Sequence, residues 1–234
     1  MEITRDNRIV DLPELRGRTR VFADRTDAGG VVAGMLEEFR GSGAIVLAIP
    51  AGGVPVGAAI SSALGLPFDV AVVSKITPRW NSEVGYGAVA WNGTVRRNGV
   101  LVPQMGLTER EMAEDTARTL EKVRRRVETL RGNRPMPELS GRTVLLVDDG
   151  LASGFTMRVA VEAVRELGAG PIVVAVPTAH DTSAHLVAAE ADVVYCANLR
   201  SGWSFAVADA YRRWRDMEER EFQEIAKKLL RSSS

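Results

Sequence analysis

Runs that are apolar at nearly every position recur along the chain. They fall at residues 44–49 (AIVLAI), 69–74 (DVAVVS), 143–147 (TVLLV) and 172–176 (IVVAV), with a shorter one at 192–195 (DVVY). A strand with one wet face alternates apolar and polar residues. A strand apolar throughout is covered on both faces, as in a parallel sheet. Segments of helical character lie between the runs. Asp27 is placed to cap a helix over 28–39 that ends near Gly41, and 54–64 reads as a helix of small residues stopped by Gly65. A further helix over 155–167 is closed by Gly168, and Asp181 precedes one over 182–189. This alternation predicts a doubly wound α/β fold with a mostly parallel sheet of about five strands. Ligands in such sheets bind beyond the carboxyl ends of the strands, so the residues just after each run carry the interest.

Residues 76–103 interrupt the alternation with Pro78, Trp80, Gly85, Gly87, Trp91, Gly93 and Gly99. A long loop or a small β excursion fits, and insertions of this size are often lids. A long helix is expected over 108–131, opened by a Thr108/Glu111 capping box and ended by Gly132, Pro135 and Pro137. Arg124, Arg125 and Arg126 sit on it among glutamates, as on a solvated face. The tail over 204–230 reads as helical, with Asp216 as a cap between two segments. We therefore expect one domain over 1–234, an insertion plus long helix over 76–140, and a C-terminal helical hood or tail over 198–234.

Composition narrows the function classes. The 234 residues carry 30 Lys+Arg against 30 Asp+Glu, so the basic excess of a general polyanion binder is missing, although a local phosphate site remains open. The single cysteine, Cys196, rules out an internal disulfide framework and speaks against a Cys-based zinc site. His180 and His185 are too isolated to suggest a metal pair. No apolar run approaches the ~20 residues of a membrane span, and the start, MEITRDNRIV, has no apolar leader segment. A cytoplasmic protein without nucleic-acid or membrane partners is the expectation.

Residues 144–157, VLLVDDGLASGFTM, carry the chemistry. A buried strand ends in Asp148 and Asp149, a short loop of small residues follows, and Thr156 opens a helix. Amides at a helix start lack backbone partners and face outward, where the helix dipole adds about half a positive charge. Glycines let such a backbone approach an anion closely. The hydroxyls of Ser153 and Thr156 are further donors. Neighbouring carboxylates on a strand point apart unless the chain turns, and a turn at Gly150 lets both face one polar ligand. Two carboxylates above a phosphate cradle suit a ribose phosphate, whose vicinal hydroxyls donate while its 5′-phosphate sits on the amides.

This segment resembles the phosphoribosyl diphosphate (PRPP) signature of type I phosphoribosyltransferases. FADRTDAGGVVAGML, AIPAGGVPVG, VVSK, VGYGAV and VVVAVPTA resemble a loosely characterised branch of the same family, and the likeness runs over roughly 21–215. The resemblance implies that Asp148 and Asp149 bind the 2′- and 3′-hydroxyls of PRPP. It places the 5′-phosphate on Gly150, Leu151, Ala152, Ser153, Gly154, Phe155 and Thr156. Pyrophosphate would lie on Ala51, Gly52 and Gly53 and face Lys75. Trp203 or Phe205, from a hood beyond the sheet, would stack on the acceptor base. Of the close-set aromatics Trp203, Phe205, Tyr211 and Trp214, the last two have no assigned role beyond packing the terminal helices. Mg²⁺ would be held by diphosphate oxygens and water, with Asp148 and Asp149 acting only through water. A homodimer is implied as well.

The chain departs from that pattern where positive charge is expected. Ala51 stands where the branch usually carries a basic residue, and Ser74 where an arginine usually precedes the lysine. Arg79, Arg96 or Arg97 from the insertion are candidates to compensate. Phe155 is larger than the usual residue, and either packs inward or crowds the phosphate loop. Three functions follow: a Mg-dependent transferase moving the phosphoribosyl group of PRPP to a nitrogenous base, a PRPP- or nucleotide-sensing regulator without turnover, and a nucleoside monophosphate phosphorylase.

Overall fold

The computed structural model describes residues 8–81, 84–132 and 134–232. Its centre is a six-stranded sheet of β1 (Ile9–Asp11), β2 (Ile45–Ala48), β3 (Phe68–Val70), β7 (Val144–Val147), β8 (Ile172–His180) and β9 (Val193–Arg200), in the order β1-β9-β8-β7-β2-β3. Every pairing in it is parallel. The expected doubly wound α/β architecture is present. The central runs are buried because successive side chains enter two different cores. Val46 and Ala48 pack with α1 (Arg25–Met35), α2 (Gly53–Leu64) and α7 (Glu219–Ser232) on one face. Ile45 and Leu47 pack with α5 (Phe155–Glu166) and α6 (Asp181–Ala188) on the other.

The run at 69–74 is not one strand. It divides into β3 in the main sheet and β4 (Val73–Ile76), which joins β5 (Gly87–Ala90) and β6 (Val95–Arg97) in a separate antiparallel sheet ordered β4-β5-β6. A continuous apolar run cannot reveal this break, because both halves are buried. The insertion is therefore a small sheet, followed by the short α3 (Leu101–Met105) and the long α4 (Glu109–Arg131). Both sides of the Thr108/Glu111 capping box are formed.

Other boundaries shift for local reasons. Asp24, not Asp27, caps α1: its backbone is extended, so its carboxylate accepts from the amides of Thr26 and Asp27. Asp27 accepts instead from the amide of Ala23 at 2.7 Å. His180 takes the cap of α6 expected of Asp181. The tail is helical only in part. A 3-10 turn covers Val207–Ala210, and no helix follows until Glu219, so Asp216 caps nothing. The half-buried edge strand β1 has no counterpart among the apolar runs.

Candidate functional site

The carboxyl ends of β2 and β7 lie side by side, with Ala48 opposite Val147. The chain after β2 turns at Ala51 and Gly52 into α2, and Pro50–Ala51 is a cis peptide. The chain after β7 supplies Asp148 and Asp149. The two turns press together. A Cβ on Gly52 would lie 1.9 Å from Oδ2 of Asp149, and one on Gly53 2.9 Å from the Cα of Asp148. Only glycine fits at either position, and both acids consequently reach the same turn. Asp148 Oδ1 accepts from the amide of Asp149 at 2.8 Å.

The loop after the acids is fixed by β8. Leu151 is buried, and its amide donates to Thr178 O at 2.9 Å while its carbonyl accepts from His180 N at 3.1 Å. The hydroxyl of Ser183 donates to Ala152 O. Gly154 has φ +69°, a left-handed turn that swings the chain into α5. The amides of Ala152, Ser153 and Gly154 have no hydrogen-bond acceptor among the described residues. Ser153 Oγ accepts from the amide of Phe155 at 3.3 Å, and Thr156 stands half-buried in the first turn of α5. Outward amides at a helix start attract anions. Phe155 packs inward against the α5–α6 core, the first of its two alternatives.

The electrostatics are those of a like-charge pair. Burial and the neighbouring Asp149 push the Asp148 carboxyl well above its ordinary range, and Arg25 and Lys75 oppose that rise. Burial also raises Asp149, against the pull of Arg25. Lys75 comes from β4 in the small sheet, not from a main-sheet strand end, yet its charge acts on Asp148. Arg79, Arg96 and Arg97 are paired elsewhere, with Glu114, Glu190 and Glu109 respectively. The arginines expected to replace the missing basic residues are thus held by carboxylates of their own.

Three further residues complete the site without having been assigned to it from sequence. Arg25 Nε donates to Asp149 Oδ2 at 2.8 Å. The Tyr211 hydroxyl donates to Asp149 O at 2.6 Å, and burial raises that phenol strongly. Trp214 lies under Arg25, whose guanidinium carbon is 3.9 Å from the ring centre. Arg25 and Trp214, together with Arg212, Arg213, Arg215 and Met217, also line a cavity of about 600 Å³. Arg25 belongs to the FADRTDAGG stretch, where an arginine between two acids at a helix start is the available signal. The other two sit in the aromatic cluster read as packing. Trp203, by contrast, is fully exposed, and Phe205 packs edge-on against His180 with ring centres 5.6 Å apart. His180 Nε2 lies 3.0 Å from Gly202 O, and His185 Nδ1 2.8 Å from Asp181 O. Among the described residues no group of three or more His, Cys, Asp or Glu side chains is arranged to hold a metal, and no helix is long and apolar enough to cross a membrane.

Two acids facing a glycine turn, beside outward amides at a helix start on a parallel sheet, define a class: an α/β protein whose strand-end loops pair carboxylates with an anion-attracting backbone. Residues 26–211 match the family described as the phosphoribosyl transferase domain, and the chain belongs to that family. It is 34% identical over 195 residues to "Putative phosphoribosyl transferase Rv0571c" of Mycobacterium tuberculosis. That alignment covers 83% of this chain but 44% of the relative, so the chain spans less than half the length of the curated proteins it matches. The crystal structure of TT1426 from Thermus thermophilus superposes with a TM-score of 0.73 at 29% identity, covering 89% of this chain and 98% of that one.

Proposed function

We propose that the protein is a phosphoribosyltransferase that moves the 5-phosphoribosyl group of PRPP to a nitrogenous base and releases pyrophosphate. The observation that carries this reading is the joining of Asp148 and Asp149 to the free amides of Ala152, Ser153 and Gly154 in one strand-end turn. The carboxylates accept the vicinal hydroxyls of the ribose. The loop from Gly150 to Thr156 takes the 5′-phosphate, through its amides and the Thr156 hydroxyl rather than through the buried Leu151 side chain. Gly52 and Gly53 bring backbone within reach of the diphosphate, and Lys75 offers it the cation that Ala51 and Ser74 lack.

Two adjacent hard oxygen donors fit Mg²⁺, which keeps much of its water and binds through one or two carboxylates and substrate phosphates. Asp148 and Asp149 would hold it through water, and when bound it neutralises charge building on the departing pyrophosphate. The chain's own work is positioning. Asp148 and Asp149 fix the sugar, and Lys75 stabilises the leaving anion.

The test mixes protein, Mg²⁺ and PRPP with a panel of nitrogenous bases and follows pyrophosphate. Release that depends on one base supports the proposal. Tight PRPP binding without turnover replaces it with a sensor, for which the loss of basic residues at positions 51 and 74 is the favouring observation. Base released from a nucleoside monophosphate by inorganic phosphate replaces it with a phosphorylase. Absence of binding to PRPP and to ribose 5-phosphate overturns all three. A homodimer belongs to the same reading and is checked by sedimentation.

A further inference from the structure

Asp149 is gripped from several sides. The Gly52 backbone closes one of them, since a Cβ there would strike Oδ2. Arg25 Nε donates to Oδ2, and Tyr211 holds the Asp149 carbonyl. Arg25 is itself held at three points: by Asp149, by Arg215 O through Nη1 at 3.0 Å, and by the Trp214 face. Trp214 in turn lies against Tyr211, with ring centres 5.1 Å apart. Asp149, Arg25, Trp214 and Tyr211 therefore form a closed ring of contacts drawn from β7's turn, α1 and the segment before α7. The Arg25 and Asp149 side chains are 13% and 15% exposed, so this is not a loose surface pair.

We infer that Arg25 is a positioning residue for the sugar: by pinning Oδ2 of Asp149 it turns Oδ1 toward a ribose hydroxyl, and so sets the preference for ribose over deoxyribose phosphates. The inference rests on the phosphoribosyl reading above. A planar guanidinium meets the carboxylate, the carbonyl and the indole face at once. A lysine keeps the charge but offers one donor centre and no flat face. Asp148 faces the same turn, and no contact joins it to Arg215 or Trp214, the other anchors of Arg25, among the described residues. The phosphate loop, on β7 and β8, is built without Arg25.

The test measures binding of ribose 5-phosphate, 2-deoxyribose 5-phosphate, 3-deoxyribose 5-phosphate and inorganic phosphate by calorimetry. Wild-type protein, Arg25→Gln and Arg25→Lys are compared. Wild type is expected to favour ribose 5-phosphate over at least one deoxy sugar. Arg25→Gln is expected to lose about tenfold of that preference, the scale of a charged-group hydrogen bond, with phosphate affinity unchanged and Arg25→Lys in between. A full preference retained in Arg25→Gln overturns the inference, as does an equal loss for every ligand, which marks a purely structural arginine. Wild type that binds every sugar phosphate equally also overturns the inference, since Arg25 then has no preference to set, whereas wild type that binds no ribose phosphate overturns the phosphoribosyl reading. Should Arg25→Gln fail to fold, Arg25→Lys and Trp214→Leu are judged by the same ratio.

Discussion

Two of the places that bury carboxylates treat them in opposite ways. At the edge of the main sheet, Asp69 meets Arg131 at 2.7 Å, with side chains 1% and 3% exposed. Arg131 also donates to Val70 O, and Asp69 accepts from the amide of Val70. Charge is balanced within the protein, and the pair ties the end of α4 to β3. At the end of β7, two acids sit side by side with one arginine between them, and Asp148 has no cation in contact among the described residues. Burial favours the neutral form of an unpaired acid. An arrangement that leaves one acid unbalanced costs stability, and it makes sense where a ligand's donors complete it.

Breaking the balanced pair should give the largest effect. Arg131→Met leaves Asp69 charged and alone, and denaturant melts should show a loss of roughly 3–5 kcal/mol, with ligand affinity of the folded fraction preserved. Comparable affinity losses in the two regions would erase the contrast. At the unbalanced pair, Asp149→Asn and Thr156→Ala should each weaken binding of PRPP or a nucleotide by ~1–3 kcal/mol, read by calorimetry. Unchanged binding in both removes the site.

Asp148→Asn sharpens the contrast on the stability side. The folded chain holds the Asp148 proton more tightly than the unfolded chain, whose value lies near 3.8. Stability from this group is therefore greatest below that value, and it declines as pH rises toward the raised folded value. Asp148→Asn should remove the decline and raise Tm by a few degrees at neutral pH, while weakening ribose phosphate binding. A lower Tm at every pH would show that the acid is not a stability cost. Lys75→Ala should have the smallest effect, reducing turnover more than ribose 5-phosphate affinity. Equal effects on both would contradict its place on the diphosphate side.

Much of this was legible in the sequence because buried parallel strands advertise themselves. The runs that became β2, β7 and β8 have no polar interruption, and the acids and small residues after β7 marked the turn. Three features escaped, each for a physical reason. β1 is three half-buried residues with no periodicity to find. The passage from β3 to β4 changes sheet without changing hydrophobicity. Arg25 meets Asp149 across 124 positions of chain, a pairing that exists only once α1 is packed onto the sheet and that no local pattern announces. The aromatics divided against expectation: Trp214, read as packing, lies under Arg25, while Trp203, expected to stack on the base, faces solvent.

The contact between Gly52 and Asp149 acts as a gauge of side-chain length. With a prospective Cβ only 1.9 Å from the carboxylate, neither partner has room to grow by a single carbon. A glutamate at 149 keeps the charge yet overshoots the gap, and an alanine at 52 closes it from the other direction. Any lengthening at one position is therefore constrained by the other, although nearly a hundred residues of chain separate them.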